Sequence, residues 1–270
     1  MRLFKKWVAS ASFIGVTAMS GIAGCGGGFN LFPVSDDVAL GRQIDAEIRA
    51  NPSQYPILNN AQATSYLQNM VNRIVQSDDV KYRGQFPYQV TIINDAKTVN
   101  AFATPGGYIY VYTGLIKMLD NEASMAGVLG HEIAHSEERH GTEAMSKQYG
   151  AQILLSVLLG NNASQLTEIA GNLVTGLAIL KNSRDAENEA DELSFRYLQD
   201  TQWYPGGAAL FFQKLENQGG GNVEFLSTHP NPENRVAKMQ QRLQSIGYAG
   251  SPSESSLGTS SYQNFKRMVP

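Results

Sequence analysis

The run His131-Glu132-Ile133-Ala134-His135 constrains this chain more than any other segment. Two imidazoles four residues apart share a face only on an α-helix, where both can reach one cation. Glu132 then stands beside that cation. Two imidazole nitrogens and a carboxylate suit Zn2+ in a tetrahedral array, and the fourth position falls to water, whose pKa drops to about 7. A neighbouring glutamate can take the proton of that water as it attacks an amide carbonyl, which makes Glu132 the candidate general base of a peptide-bond hydrolase.

Three of the four histidines lie between 131 and 140. A three-histidine site needs glycine at the place of Glu138 and a histidine six residues beyond His135, whereas His140 is five beyond it. His140 is therefore expected at the end of the metal helix, against its last carbonyls and dipole. The third ligand has to come from elsewhere, and Glu187-Asn188-Glu189-Ala190-Asp191 lies on a predicted helix over 183–200. Glu187 and Asp191 share a helical face, so Glu187 is the candidate ligand and Asp191 the candidate acceptor for a ligand imidazole.

Around these residues the periodicity alternates. Helices are expected over 36–50 and 61–77, strands over 88–94 and 108–112 with Pro105-Gly106-Gly107 as the turn before the second, and the metal helix from Asp120 to a stop at Gly141. Two apolar runs, Ile153 to Leu159 and Ile169 to Leu180, read as a helical hairpin, each too short to span a membrane. Helices over 207–217 and 231–246 follow, and the Ser-rich stretch 249–270 reads as a flexible tail. The expected class is α+β, mainly α: a zincin-like domain over 36–248 with a small sheet beside the metal helix.

The N-terminus has a basic patch (Arg2, Lys5, Lys6), an apolar stretch from Trp7 to Met19, and small residues before Cys25. That is the anatomy of an export signal over 1–24, and Ile22-Ala23-Gly24-Cys25 resembles the lipobox of bacterial lipoproteins, in which the cysteine is acylated. Cys25 is the one cysteine, and residues 25–35, opening with Gly26-Gly27-Gly28, read as a lipidated tether. In such lipoproteins a neutral residue after the cysteine, here Gly26, accompanies delivery to the outer membrane. Loss of the signal removes three cations and takes the formal charge from -3 to about -6. That balance argues against nucleic acid as a partner.

Four segments in order, Asn100-Ala101-Phe102-Ala103-Thr104-Pro105-Gly106-Gly107, His131 to His135, Ser183-Arg184 with Glu187 to Asp191, and Ser227-Thr228-His229-Pro230, resemble the gluzincin family of CAAX prenyl endopeptidases, HtpX and the periplasmic proteases BepA and LoiP. The resemblance runs from about Asp36 to Ile246. Its glutamate-x-x-alanine-aspartate pattern falls on Glu187, Ala190 and Asp191, which assigns Glu187 over Glu189 as the metal ligand. It also implies that His229, in a Pro-bounded loop, faces the zinc, donating to an oxyanion or filling the open metal position at rest, and that Arg235 on the next helix supports that loop or the substrate carbonyl. Asn100, Ala101, Phe102 and Ala103 would form a substrate-side edge strand able to pair with an extended peptide.

The lipid-anchored architecture looks like the periplasmic branch. For that branch the resemblance implies cleavage of misfolded or misassembled envelope proteins, with a membrane contact through the N-terminal lipid. The alternative expectation is a chaperone-like holdase or scaffold whose proteolysis is latent. The sequence specifies no oligomeric state.

Overall fold

The structure, a computed structural model, describes residues 29–159, 171, 182–217, 224–230, 234–248 and 250–270. Among them the elements run α1 (Val34–Ala50), α2 (Ala61–Ile74), β1 (Gln89–Ile93), β2 (Ala101–Thr104), β3 (Tyr108–Tyr112), α3 (Thr113–Met118), α4 (Glu122–Glu137), α5 (His140–Leu159), α6 (Arg184–Gln199), α7 (Gly207–Asn217), α8 (Glu224–Thr228), α9 (Arg235–Ser245), α10 (Glu254–Leu257) and α11 (Thr259–Lys266). Helices dominate, and one small sheet lies beside the metal helix, as the pattern predicts. The signal, Cys25 and its glycines, and the apolar run from Ile169 to Leu180 apart from Gly171, lie outside the described residues.

The β-branched and aromatic runs pair in the order β1-β3-β2. β3 is central, parallel to β1 with Gln89 opposite Tyr108, and antiparallel to β2 with Thr104 opposite Tyr108. Gly106 and Gly107 turn the chain between β2 and β3 at φ of 77° and 83°, a region other residues rarely enter. On one side Leu67, Met70, Val71 and Ile74 of α2 bury the apolar face that their spacing foretold. β2 is left at the edge.

α4 starts where the Asn121 side chain accepts from the Ser124 N–H at 2.8 Å, and it is buried along almost its entire length. A helix enclosed on all sides needs small residues where neighbours cross it. A Cβ added to Gly127 would come 2.1 Å from the Ala208 nitrogen of α7, and one on Gly130 would come 2.8 Å from Ser194 Oγ of α6. Those glycines let α6 and α7 clasp the metal helix.

Four expectations need correction. α4 ends at Glu137 rather than Gly141, because Arg139 takes a left-handed φ of 58° and opens α5 at His140. Tertiary contacts hold that turn: Arg139 donates to Asp37 from Nε at 2.6 Å and from Nη2 at 3.0 Å, and to the Phe32 carbonyl at 2.5 Å. α5 then runs unbroken to Leu159, so the first apolar run is its last part and not a separate helix.

The described part of the expected tether is docked rather than loose. Asn30 Nδ2 donates to Thr142 Oγ1 and the Leu31 N–H to Ser146 Oγ, both at 2.9 Å, and Phe32 is buried before α1 begins at Val34. His229 directly follows the short helix α8, its N–H bonded to the Phe225 carbonyl at 2.8 Å.

The stretch 249–270 is not a flexible tail. It carries α10 and α11, with Tyr262 and Phe265 fully buried. Phe265 stacks on Tyr66 with ring centroids 4.3 Å apart, and the Tyr262 hydroxyl donates at 2.9 Å to the Ile116 carbonyl near the end of α3. Two aromatic residues in an eight-residue helix are too few to register as a periodic face. Phe265→Ala should cost about 3–5 kcal/mol in urea denaturation, a loss that an undocked tail would not produce.

Candidate metal centre

Two capped helices deliver the ligands. On α4 one turn separates His131 from His135, and on α6 the Ser183 side chain accepts from the Ala186 N–H at 3.1 Å, setting Glu187 in the first turn and Asp191 one turn further. All four side chains are buried where α4 and α6 pack together.

The ligand atoms converge. His131 Nε2 is 3.0 Å from His135 Nε2 and 3.2 Å from Glu187 Oε2, His135 Nε2 is 3.2 Å from Glu187 Oε1, and His229 Nδ1 is 3.3 Å from His131 Nε2 and 3.1 Å from Glu187 Oε1. Ligands about 2.0–2.1 Å from a tetrahedral ion lie roughly 3.3 Å apart, so these separations are close to the edges of such a coordination shell. Glu187 Oε2 accepts no aligned hydrogen bond although it is buried. Three imidazoles and a carboxylate that crowd one point and leave lone pairs unused fit a borderline cation such as zinc.

Behind these atoms stands a second layer. His131 Nδ1 lies 3.0 Å from Asp191 Oδ1, within pairing distance although off the line of a well-aligned hydrogen bond. Asp191 is gripped in turn by Arg235, through Nε to Oδ2 at 2.7 Å and Nη2 to Oδ1 at 2.6 Å. Arg235 Nη2 also stands 3.4 Å from Glu187 Oε2, and its guanidinium carbon lies 3.7 Å from the centre of the Phe212 ring. The structure thus places Arg235, expected near the His229 loop or the substrate carbonyl, in the buried layer behind the two carboxylates.

Electrostatics follow from burial and surplus carboxylate. Burial pushes the Glu132 carboxyl above its ordinary value and takes His135 well below its own. Burial also acts to raise Glu187, but the imidazoles of His229, His135 and His131 outweigh it and hold that carboxyl far below the usual range. Burial would lower His131 as well, yet Glu187 and Asp191 carry it up to about 9. With Glu187 and Asp191 facing one guanidinium and Glu132 buried nearby, the pocket demands a further cation, which a proton or a metal ion can supply.

Glu132 is fully buried; the Ala103 backbone N–H of β2 and His229 Nε2, 3.5 Å from Oε1, are its polar neighbours, and among the described residues no side chain gives either oxygen a well-aligned hydrogen bond. It lines a cleft together with Phe102, Thr104, Tyr112, Thr142 and His229. The expected edge strand forms one wall, with Asn100 just before β2 and Ala101, Phe102 and Ala103 within it. Asn182 escaped the sequence reading, and His140, expected against the last carbonyls of the metal helix, instead opens α5 and meets His135. His140 Nδ1 lies 2.8 Å from His135 Nδ1, and Asn182 Nδ2 lies 3.3 Å from His135 Nε2. The clustering of histidines between 131 and 140 was the available signal for His140, but its meaning depends on the left-handed turn at Arg139.

This donor set, on a long buried helix beside a small sheet, defines the zincin-like class. Peptidase family M48 matches the chain over residues 61–243, and the protein belongs to that family. It is 30% identical over 211 residues to the beta-barrel assembly-enhancing protease of Escherichia coli (strain K12), covering 73% of this chain and 42% of that protein. The protein of the same name from Yersinia pestis is 28% identical over 221 residues, covering 77% of this chain and 44% of that one. The mitochondrial metalloendopeptidase OMA1 of Schizosaccharomyces pombe is 30% identical over 200 residues, covering 72% of this chain and 56% of that protein. The chain thus spans about half the length, or less, of these relatives.

Arg235→Ala leaves the buried Asp191 carboxylate without its guanidinium, and should cost about 3–5 kcal/mol in denaturant-derived stability. Arg235→Lys cannot reproduce the bidentate grip and should recover only part of it.

Proposed function

We propose that this protein is a zinc-dependent metalloendopeptidase of the bacterial cell envelope that cleaves misfolded or misassembled proteins. The observation that carries the reading is the Glu132 carboxyl, buried in the cleft wall next to a converging cluster of two helix-borne imidazoles and the Glu187 carboxylate. A holding site for metal alone has no use for such a base.

His131, His135 and Glu187 would hold the ion, and Asp191 and Arg235 would keep His131 and Glu187 in place. Zinc bound there supplies Lewis acidity, which acidifies water and polarises an amide carbonyl. Glu132 takes the proton of the attacking water as the new carbon–oxygen bond forms, and returns it to the departing amine as the carbon–nitrogen bond breaks. Its raised proton affinity suits both halves of that transfer. An extended peptide adds to the open edge of β2 through backbone hydrogen bonds, a grip indifferent to side-chain sequence and suited to unfolded chains.

The envelope assignment rests on the export signal read over 1–24, on acylation of Cys25, and on likeness to relatives named for assembly of β-barrels. The lipid would place the catalytic domain on the periplasmic side of the outer membrane. Among the described residues no helix is long and apolar enough to cross a membrane. One observation favours a resting, latent form: His229 Nδ1 already sits in the ligand cluster while its Nε2 faces Glu132, so substrate and water enter after that ring swings aside. In that form the cleft would act as a holdase.

Cleavage of unfolded casein by the purified protein tests the reading. Zinc-loaded protein should cut, chelation should stop it, Glu132→Gln should lower the rate by about 10²- to 10⁴-fold, and His229→Ala should raise access to the site. No cleavage by zinc-loaded protein or by the His229→Ala variant would leave the holdase.

A further inference from the structure

The two helix-borne imidazoles are supported from behind in different ways. His131 has a carboxylate at its Nδ1, and that carboxylate is locked by a buried guanidinium. His135 has no carboxylate there. Its Nδ1 meets Nδ1 of His140 at 2.8 Å, and His140 Nε2 meets Glu189 Oε2 at 3.3 Å.

Hydrogen-bond chemistry gives this chain one direction if His135 Nε2 keeps its lone pair for the ligand cluster. The His135 proton is then on Nδ1 and must be donated to His140, whose Nδ1 can accept it only if His140 carries its own proton on Nε2. That proton in turn points at the Glu189 carboxylate. The ring of His140 is buried while the Glu189 side chain is 44% exposed, so the line runs from the centre to the surface. The left-handed turn at Arg139, secured by Asp37 and the Phe32 carbonyl, is what brings His140 back to the ring one turn above it.

We propose that His140 and Glu189 are positioning residues for His135, fixing its tautomer and ring orientation so that Nε2 is presented to the metal. The proposal rests on the reading of His135 as a metal ligand. Glu189, the carboxylate passed over as a ligand, thereby has a distinct task one layer further out, and α6 serves both imidazoles of α4: His131 through Asp191 and His135 through Glu189. The arrangement extends the usual histidine–carboxylate pairing of metal sites by one imidazole.

Zinc affinity measured on purified full-length protein, by competition against a chromophoric chelator, tests this without relying on turnover. His140→Ala should weaken zinc binding by about 10- to 100-fold, and Glu189→Ala by a smaller factor, with the melting temperature of the metal-free protein unchanged in the surface variant. His140→Asn places an acceptor oxygen near the position of Nδ1 and should bind more like the parent, whereas His140→Gln places it near Nε2 and should not. Parent protein that takes up no zinc, in the manner of a His135→Ala control, would overturn the metal reading and the relay with it. Parent protein that binds while His140→Ala binds equally well would overturn the relay alone. Should the alanine variant fail to fold, the Asn and Gln variants decide: equal affinities in the two would sink the positioning role.

Discussion

Glu187 and Asp191 put two carboxylates on one face of α6 and bury both, and the rest of the molecule is arranged so that neither charge goes unmet. Imidazoles come from α4, a guanidinium from the first residue of α9, and a third imidazole from the residue after α8. Removing any one partner would leave a charge in an apolar interior, where its desolvation is costly. This requirement explains why α4 carries Gly127 and Gly130. Gly130 lets α6 come close enough for its carboxylates to reach the histidines, and Gly127 admits α7 on the neighbouring face.

The same centre is built with unequal rigidity on its two sides. The His131 side is closed by a bidentate Asp191–Arg235 pair under the Phe212 ring, wholly buried. The His135 side ends through His140 at a half-exposed carboxylate and borders the cleft. Arg139 and Thr142 link that side to the N-terminal segment: Arg139 ties α1 and the Phe32 carbonyl to the turn after the metal helix, and Thr142 receives Asn30. The chain just beyond the expected lipid anchor is thus part of the cleft's supporting structure.

Membership of peptidase family M48 covers residues 61–243, yet the molecule extends past that stretch at both ends in ways that matter for packing. α1 supports the Pro105-Gly106-Gly107 turn, where a Cβ on Gly41 would come 2.0 Å from the Pro105 carbonyl oxygen. α11 closes the far side by burying Tyr262 and Phe265 over α2 and α3.

Local spacing determined a good part of this protein. The four-residue interval from His131 to His135 fixed which imidazoles share a helix face, the same interval from Glu187 to Asp191 did so for the carboxylates, and alternation of branched and aromatic residues marked β1 and β3, because each depends only on backbone geometry within a few residues. Resemblance of motifs supplied His229. Tertiary structure alone decided that α4 stops at Glu137, that His140 turns back onto His135, that Arg235 lies beneath the carboxylates, and that 249–270 is docked. Each of those outcomes is set by a partner far away in sequence, Asp37 for Arg139, Asp191 for Arg235 and Tyr66 for Phe265, and no local periodicity carries the identity of a distant partner.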